Sequence, residues 1–365
     1  MPETLGIGIV GAGRFAEFCI GAFDVLSGAR VVAVMDVDLQ RARAVAPPRA
    51  AVYAELGAML DDPAVDIVHV GTPPASHGPI ALRAIEARRH VFVEKPLAIR
   101  LHEAQAVVAA AEASGVVVSV DYVLRHHPLH KLALAVTRSG ALGPLRHFAL
   151  VNLASVKSVP VGHWFWDRAV SGGIHVEHGV HFLDLSLAHA GCEADSVSGV
   201  QQRRADGAVD RESALVRFGD EMVATFVHGF IRTAATERTT IGLYYELGQV
   251  TMNGWIPTDL QLDAVVDEAW AVAALRDLFD GAAFDVAPFD EGGRRRQRVL
   301  AAAEAPDREA AYRAAIVAGM ADLVDAAREG RQPLVTARDA VRSLELALRA
   351  QAGAPAAGGR RKRRR

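Results

Sequence analysis

Cysteine is almost missing from this chain, with Cys19 and Cys192 the only two among 365 residues. They are too few and too far apart for a disulfide framework or a zinc motif, they fit a reducing compartment, and both are expected to be buried thiols. A strong charge imbalance is missing too. The formal net charge of -3 predicts neither a nucleic-acid nor a membrane-surface partner for the body of the protein. No basic-then-apolar signal region opens the sequence, and no apolar run approaches the length of a membrane span. A cytoplasmic globular protein is the resulting expectation. With 51% hydrophobic residues, the chain can bury ample core, and its length predicts about two domains.

One compositional shift stands apart. From Ala352 to Arg365, Ala, Gly and Pro give way to Arg360, Arg361, Lys362, Arg363, Arg364 and Arg365, which reads as a disordered basic tail rather than part of the fold.

What is present begins with an apolar strand, Leu5 to Val10, followed by Gly11, Ala12, Gly13, Arg14, Phe15 and Ala16 and then a helical stretch to about Ser27. The spelling is G-x-G-x-x-A. Such glycines permit a tight turn and close approach of backbone to a pyrophosphate, and the helix behind them offers free N–H groups and its positive dipole end. A second strand, Arg30 to Met35, ends at Asp36, twenty residues beyond Ala16. A carboxylate there can accept hydrogen bonds from a ribose diol and repels a 2′-phosphate, so NAD is expected over NADP.

Strands at Val65 to Val70, His90 to Val93 and Val116 to Val120 alternate with helices at Pro79 to Ala87 and Leu101 to Ser114. That alternation predicts a doubly wound parallel sheet over residues 1–125. Lys95, in the triplet Glu94-Lys95-Pro96, then stands at the carboxyl end of a parallel strand, where open α/β sheets bind their ligands. Lys95 is therefore the first candidate for a catalytic group.

Past Arg125 the pattern changes. A helix at Pro128 to Ser139 precedes β-rich segments at Leu145 to Leu153, Val197 to Gln202, Ala214 to Phe218, Met222 to His228 and Thr239 to Leu243, and helices at Asp307 to Glu329 and Ala337 to Gln351 close the ordered chain. Strands following strands predict a large open, mainly antiparallel sheet in a second α/β domain, residues 126–351. Its exposed face is a natural surface for self-association, so a homo-oligomer is expected.

The most polar stretch of the second domain runs from Ser171 to Asp184, with Ser171 as N-cap and Gly191 as stop. On a helix advancing about 100° per residue, Glu177, His181 and Asp184 fall within about 60° of one another, while His175 and His178 point away. The shared face suits proton transfer: His181 is the base, and Glu177, four residues earlier, fixes its tautomer. Because the histidines do not share a face, no metal is expected.

These features together resemble the Gfo/Idh/MocA oxidoreductases, the group of glucose-fructose oxidoreductase and inositol 2-dehydrogenase, over nearly all of residues 5–350. The matching parts are the G-A-G-R turn at Gly11 to Arg14, Asp36, the Thr72-Pro73-Pro74 run with His77, the Glu94-Lys95-Pro96 triplet, and the segment ending in Gly179, His181 and Asp184. The resemblance implies a Rossmann domain followed by an α/β domain whose open sheet covers the cofactor and often forms an oligomer interface. It also implies active-site roles for Lys95 and His181, and cofactor contacts from Gly11, Gly13, Arg14, Phe15, Ala16, Asp36, Thr72, Pro73, His77, Glu94 and Lys95. Two positions depart from the family pattern: Glu177 stands where aspartate is common, and Ser171 replaces the first glycine of a common G-G-G.

The expected activity is hydride transfer between NAD and a secondary alcohol of a sugar, cyclitol or related polyol. Trp164 and Asp167, in the His163 to Asp167 run, are candidates for the pocket wall because flat indole faces suit the C–H face of a sugar ring. Tyr122, Arg125 and Asp184 are further substrate-binding candidates, with interdomain hydrogen bonding as the alternative for the first two. Competing readings are an NAD-dependent glycoside hydrolase working by transient oxidation and elimination, a reductase of enones, imines or tetrapyrroles, and a non-catalytic dinucleotide sensor.

Overall fold

The computed structural model describes residues 4–305 and 307–353; of the tail expected over 352–365, Ala352 belongs to the last helix, and positions 354 onward lie outside the described residues. Six strands, Leu5–Val10 (β1), Ala29–Met35 (β2), Ala51–Tyr53 (β3), Ile67–Val70 (β4), His90–Val93 (β5) and Val118–Val120 (β6), form one sheet in the order β3-β2-β1-β4-β5-β6. Every pairing in it is parallel. Helices Arg14–Phe23 (α1), Leu39–Val45 (α2), Leu56–Leu60 (α3), His77–Glu86 (α4) and Leu101–Ser114 (α5) supply the crossovers. β1 and β4 are buried at every position, as strands covered on both faces must be, and this is why they read as unbroken apolar runs.

The expected first helix is shorter than its sequence pattern. α1 ends at Phe23, whose carbonyl accepts from Leu26 N–H at 3.0 Å, so the chain has already turned toward β2. α2, β3 and α3, at seven, three and five residues, were not expected because elements so short show no period. Asp38 starts α2 by accepting from Gln40 and Arg41 N–H, a local cap.

Pro128–Ser139 (α6) leads into the second sheet. Its strands are Leu145–Ser155 (β7), Ser196–Arg203 (β8), Val209–Phe218 (β9), Met222–Arg232 (β10), Arg238–Tyr245 (β11), Gly248–Asn253 (β12), Asp259–Val266 (β13), Ala283–Glu291 (β14) and Arg294–Glu304 (β15). They lie in the order β14-β15-β13-β12-β11-β7-β10-β9-β8, antiparallel except where β7 and β10 run parallel. β9 alternates buried and open positions, so this sheet has one core face and one outer face. Val151, Leu215, Val223 and Val227 stand open to solvent between 37% and 51% on adjacent strands β7, β9 and β10. The helices Arg168–Ser171 (α7), Val180–Ala190 (α8) and Ala269–Leu278 (α9) complete this part.

The last two helices, Arg308–Glu329 (α10) and Ala337–Ala352 (α11), return to the first sheet. α11 starts with a capping box in which Thr336 and Asp339 satisfy each other's backbone N–H groups, a strong start signal. It is pinned to the end of β6 by two buried bonds: Ser119 Oγ donates to the Val335 carbonyl at 3.0 Å, and the Tyr122 and Ser343 hydroxyls meet at 2.6 Å.

The cysteines divide. Cys19 is buried, as expected, but Cys192 is exposed, because Gly191 ends α8 at a left-handed φ of 67° and turns the next residues outward.

Candidate active site

The glycine turn after β1 has the shape a dinucleotide needs. Gly11 sits at φ 97°, and a side chain there would meet the Gly71 carbonyl oxygen at 2.8 Å, so the turn tolerates only glycine. Gly13 is the reverse: a Cβ there would meet nothing within 4 Å, which leaves open space in front of α1. No side chain caps α1, so its first N–H groups face that space free. Arg14 is exposed beside it, Phe15 is half-buried and Ala16 is buried. Asp36 lies across the turn, accepting from Ala12 N–H at 2.8 Å and Asp38 N–H at 2.9 Å.

Thr72, Pro73 and His77 divide between surface and support. Pro73 is exposed and Thr72 half-buried, whereas His77 is 1% exposed, with ring nitrogens 2.7 Å and 2.6 Å from the carbonyl oxygens of Pro96 and Thr72. His77 therefore ties the turn after β4 to the turn after β5 and so positions Lys95 from behind.

Lys95 projects from the carboxyl end of β5. Its ammonium donates to the Glu177 carbonyl oxygen at 2.7 Å and to Glu177 Oε1 at 2.7 Å, a charge-assisted double anchor. Burial alone would raise the Glu177 carboxyl, but the Lys95 charge and the hydrogen bond from Lys95 outweigh it and hold the group below the ordinary carboxylate range.

That contact revises two expectations about the Ser171–Asp184 stretch. Ser171 ends α7 instead of capping the next helix, and Gly172 follows at φ 82°. Residues His175–Gly179 then form a π-helical turn, and the regular helix begins only at Val180. With the wider turn, Glu177 reaches Lys95, not His181, whose Nδ1 is buried without a partner among the described residues. The common α-helical face predicted for Glu177, His181 and Asp184 thus does not form. Gly191 does end the helix as expected.

His181 is 2% exposed, against Tyr122 and Trp255 at ring separations of 6.0 Å and 5.2 Å. Burial depresses its pKa well below the usual imidazole value, and the nearby Lys95 charge lowers it further. The ring is consequently a neutral base near pH 7. His178 is likewise pushed down to about 4, by burial and then by Lys95.

The remaining candidates fall into a supporting network and a pocket. Arg125 pairs with Asp184 at 3.4 Å, while Tyr122 is fully buried and bonded to Ser343; these two pairs tie the segment after β6 to α8 and α11. Asp167 caps α7 through Ala169 N–H. Trp164, 37% exposed, lines a cavity of about 630 Å³ that also takes in Glu177, His178, Asn152, Thr239 and Trp255. Trp255 and Asn152 went unnoticed in the sequence, the former in a turn after an unexpected strand, the latter as one polar residue within β7. A second depression of about 430 Å³ on strands β12 to β15 carries none of these groups.

Beneath Lys95 lies a buried polar cluster. Glu94 accepts from or shares a proton with His69 Nε2 at 3.1 Å and is hydrogen-bonded to Asp121. Burial raises Glu94 to about 8 despite Lys95 and raises Asp121 well above its usual value, with Glu94 adding to the latter. Glu94 is 7% exposed, so it supports the turn from below. Among the described residues, Cys19, His69 and Glu94 form the one group whose potential metal-ligand atoms lie within 4.8 Å of one another, and the His69–Glu94 contact already occupies two of them.

Comparison with known proteins gives the family and the fold. The sequence model described as "Oxidoreductase family, NAD-binding Rossmann fold" matches residues 5–122, and that described as "GFO/IDH/MocA C-terminal domain" matches residues 130–251. The chain is 29% identical over 295 residues to 1,5-anhydro-D-fructose reductase of Ensifer adhaerens, covering 75% of this chain and 88% of that one. To scyllo-inositol 2-dehydrogenase (NAD(+)) of Bacillus subtilis (strain 168) it is 27% identical over 209 residues, covering 54% of this chain and 58% of that one; the chain thus spans little more than half of that relative's length. GenD2 from gentamicin A biosynthesis, solved in complex with NAD, superposes with a TM-score of 0.78 at 24% identity, covering 97% of this chain and 95% of that one, a likeness of fold.

Proposed function

Because the chain belongs to the Gfo/Idh/MocA oxidoreductase family, we propose that it oxidises a secondary alcohol of a sugar, cyclitol or related polyol with NAD, reversibly. The relatives named above act on such compounds. The observation that carries the reading is the Lys95–Glu177 contact: it brings the lysine at the end of a parallel strand to a residue lining the cavity of the second sheet.

When bound, the dinucleotide supplies the hydride acceptor. Gly11, Gly13 and the free N–H groups of α1 hold its pyrophosphate, and Asp36 favours NAD because its carboxylate repels a 2′-phosphate. His181, neutral and shielded by Trp255 and Tyr122, takes the hydroxyl proton. Lys95 donates to the same oxygen and stabilises the negative charge that develops there, its ammonium kept in place by Glu177. Trp164 and Trp255 offer apolar walls to a ring, while Asn152 and Thr239 offer polar atoms to its hydroxyls.

In this reading residues 1–125 bind the cofactor and residues 126–351 the substrate. The apolar outer face of the nine-stranded sheet serves self-association. Two unpaired thiols, Cys19 and Cys192, fit a cytoplasmic setting; among the described residues no helix is long and apolar enough to cross a membrane.

A panel of polyols, inositols and sugars, incubated with NAD and followed at the nicotinamide absorbance, tests the proposal. NADH formation with at least one of them is the expected result. Glycoside cleavage without net NADH would replace the reading by hydrolysis through transient oxidation, and NAD binding without any reaction would replace it by a sensor.

A further inference from the structure

The mouth of the 630 Å³ cavity is lined by Arg238 and Arg308 as well as by the groups already described. Both guanidinium-bearing residues are exposed, and neither makes a carboxylate pair among the described residues. Arg238 donates only to the neutral Thr240 hydroxyl at 3.3 Å, and no described residue hydrogen-bonds the Arg308 guanidinium. Arg308 is the first residue of the 22-residue α10, whose end is capped by the Asp307 carboxylate accepting from Ala310 N–H at 2.9 Å, so the positive charge at this place is that of the guanidinium itself. Glu177, deeper in the cavity, is neutralised by Lys95. The lining thus carries two guanidinium groups without a carboxylate partner against one free carboxylate, Glu237, in a concave, partly apolar space.

We infer that the substrate carries an anionic oxygen group, a carboxylate or a phosphate, which Arg238 and Arg308 bind at the cavity mouth while the reacting hydroxyl lies toward Glu177 and Lys95. The inference rests on the dehydrogenase reading above for the chemistry but not for the binding. Three observations favour it. The cavity volume lies well within the range that accommodates ligands larger than a bare monosaccharide ring. Arginine's planar fork matches carboxylate and phosphate oxygens bidentately. The two arginines come from β11 and α10, elements far apart in the chain, which converge on one opening.

The test compares neutral and acidic members of matched pairs, D-glucose with D-glucuronate and with glucose 6-phosphate, and myo-inositol with its monophosphate, on the NAD-loaded full chain. Equilibrium binding is read by calorimetry and turnover by NADH absorbance. The acidic member is expected to bind at least about tenfold more tightly than its neutral parent, as one charge-assisted contact would give. That preference should fall as salt rises. Arg308→Ala and Arg238→Ala should each collapse it toward unity, and Arg308→Lys should restore part of it. The glucuronate and phosphate arms show which anion is preferred. Equal binding of acidic and neutral members, preference for glucosamine through Glu237, or a preference that survives both alanine variants would overturn the inference. If acidic ligands bind preferentially yet no member yields NADH, the anion site stands and the dehydrogenase reading falls.

Discussion

Lys95 and Glu177 lie 82 positions apart in sequence, and their side chains meet at 2.7 Å with both nearly buried. The contact joins the end of a parallel strand to a π-helical turn under the second sheet. It fixes a mobile ammonium at one point, and because the pair is charged and desolvated, loss of either partner leaves the other buried and uncompensated.

Removing the ammonium should therefore separate binding from chemistry. Lys95→Met is expected to keep NAD affinity within about threefold, since the glycine turn and Asp36 are untouched, while kcat falls by at least about 10²-fold. Titration of NAD by protein fluorescence together with steady-state turnover checks this. Intact turnover would remove Lys95 from the mechanism.

His181→Ala should cost about 10² to 10⁴ in kcat, the range of a general acid-base group. Its depressed pKa means that wild-type kcat should not fall through an imidazole titration near pH 6.5. A pH–rate profile with a limb at the ordinary histidine value, absent in the variant, would show that the ring titrates as if exposed.

The two lobes were legible to different degrees, for physical reasons. In the first, β1 and β5 match the sequence pattern because burial forces unbroken apolar runs, α5 matches because it buries one alanine- and valine-bearing face and stops at the left-handed Gly115, and the glycine turn and Asp36 sit where their spacing puts them. In the second, everything from Gly248 to Glu304 was missed. β13 alternates open and buried positions and was legible but overlooked, whereas β14 at the sheet edge and β15 beside it carry charged, exposed residues that weaken the period-2 signal. The site shows the same contrast. Lys95 was visible from strand-end logic, but Glu177 was assigned to His181 by counting 100° steps, and the π-turn breaks that count. No local residue pattern announces a π-turn; it is set by tertiary contacts, including the Glu212 carboxylate that accepts from His175 N–H at 2.7 Å. His77 and Glu94, expected as cofactor contacts, are buried and bonded to the loops around Lys95.

Asp36 makes a prediction about cofactor choice. Its carboxylate already accepts from two backbone N–H groups, which fixes it at the edge of the turn. NAD should be preferred over NADP, and Asp36→Ser should reduce the ratio of the two kcat/KM values by at least about tenfold. An unchanged ratio would place the 2′-position of the ribose away from this residue.

Glu94 makes a prediction about stability. Its folded pKa, about 8, is raised above the ordinary carboxyl value chiefly by burial, so the folded state holds a proton that the unfolded chain has released. Between the two values the native protein binds more protons than the unfolded one, and stability must fall as pH rises through that window. The contribution is complete below the unfolded pKa, near 4.5, and is lost once pH passes about 8. Asp121, hydrogen-bonded to it and raised in the same direction, steepens the loss because two carboxyl groups in contact cannot both ionise without cost. Glu94→Gln keeps the shape and a donor toward Asp121 but has no proton to lose. The melting temperature of the variant should therefore decline less than that of the native protein between pH 6 and pH 9, with the two curves converging at the acidic end. Parallel curves across the whole range would mean that Glu94 is ionised in the folded protein and that Lys95 has two buried counter-charges.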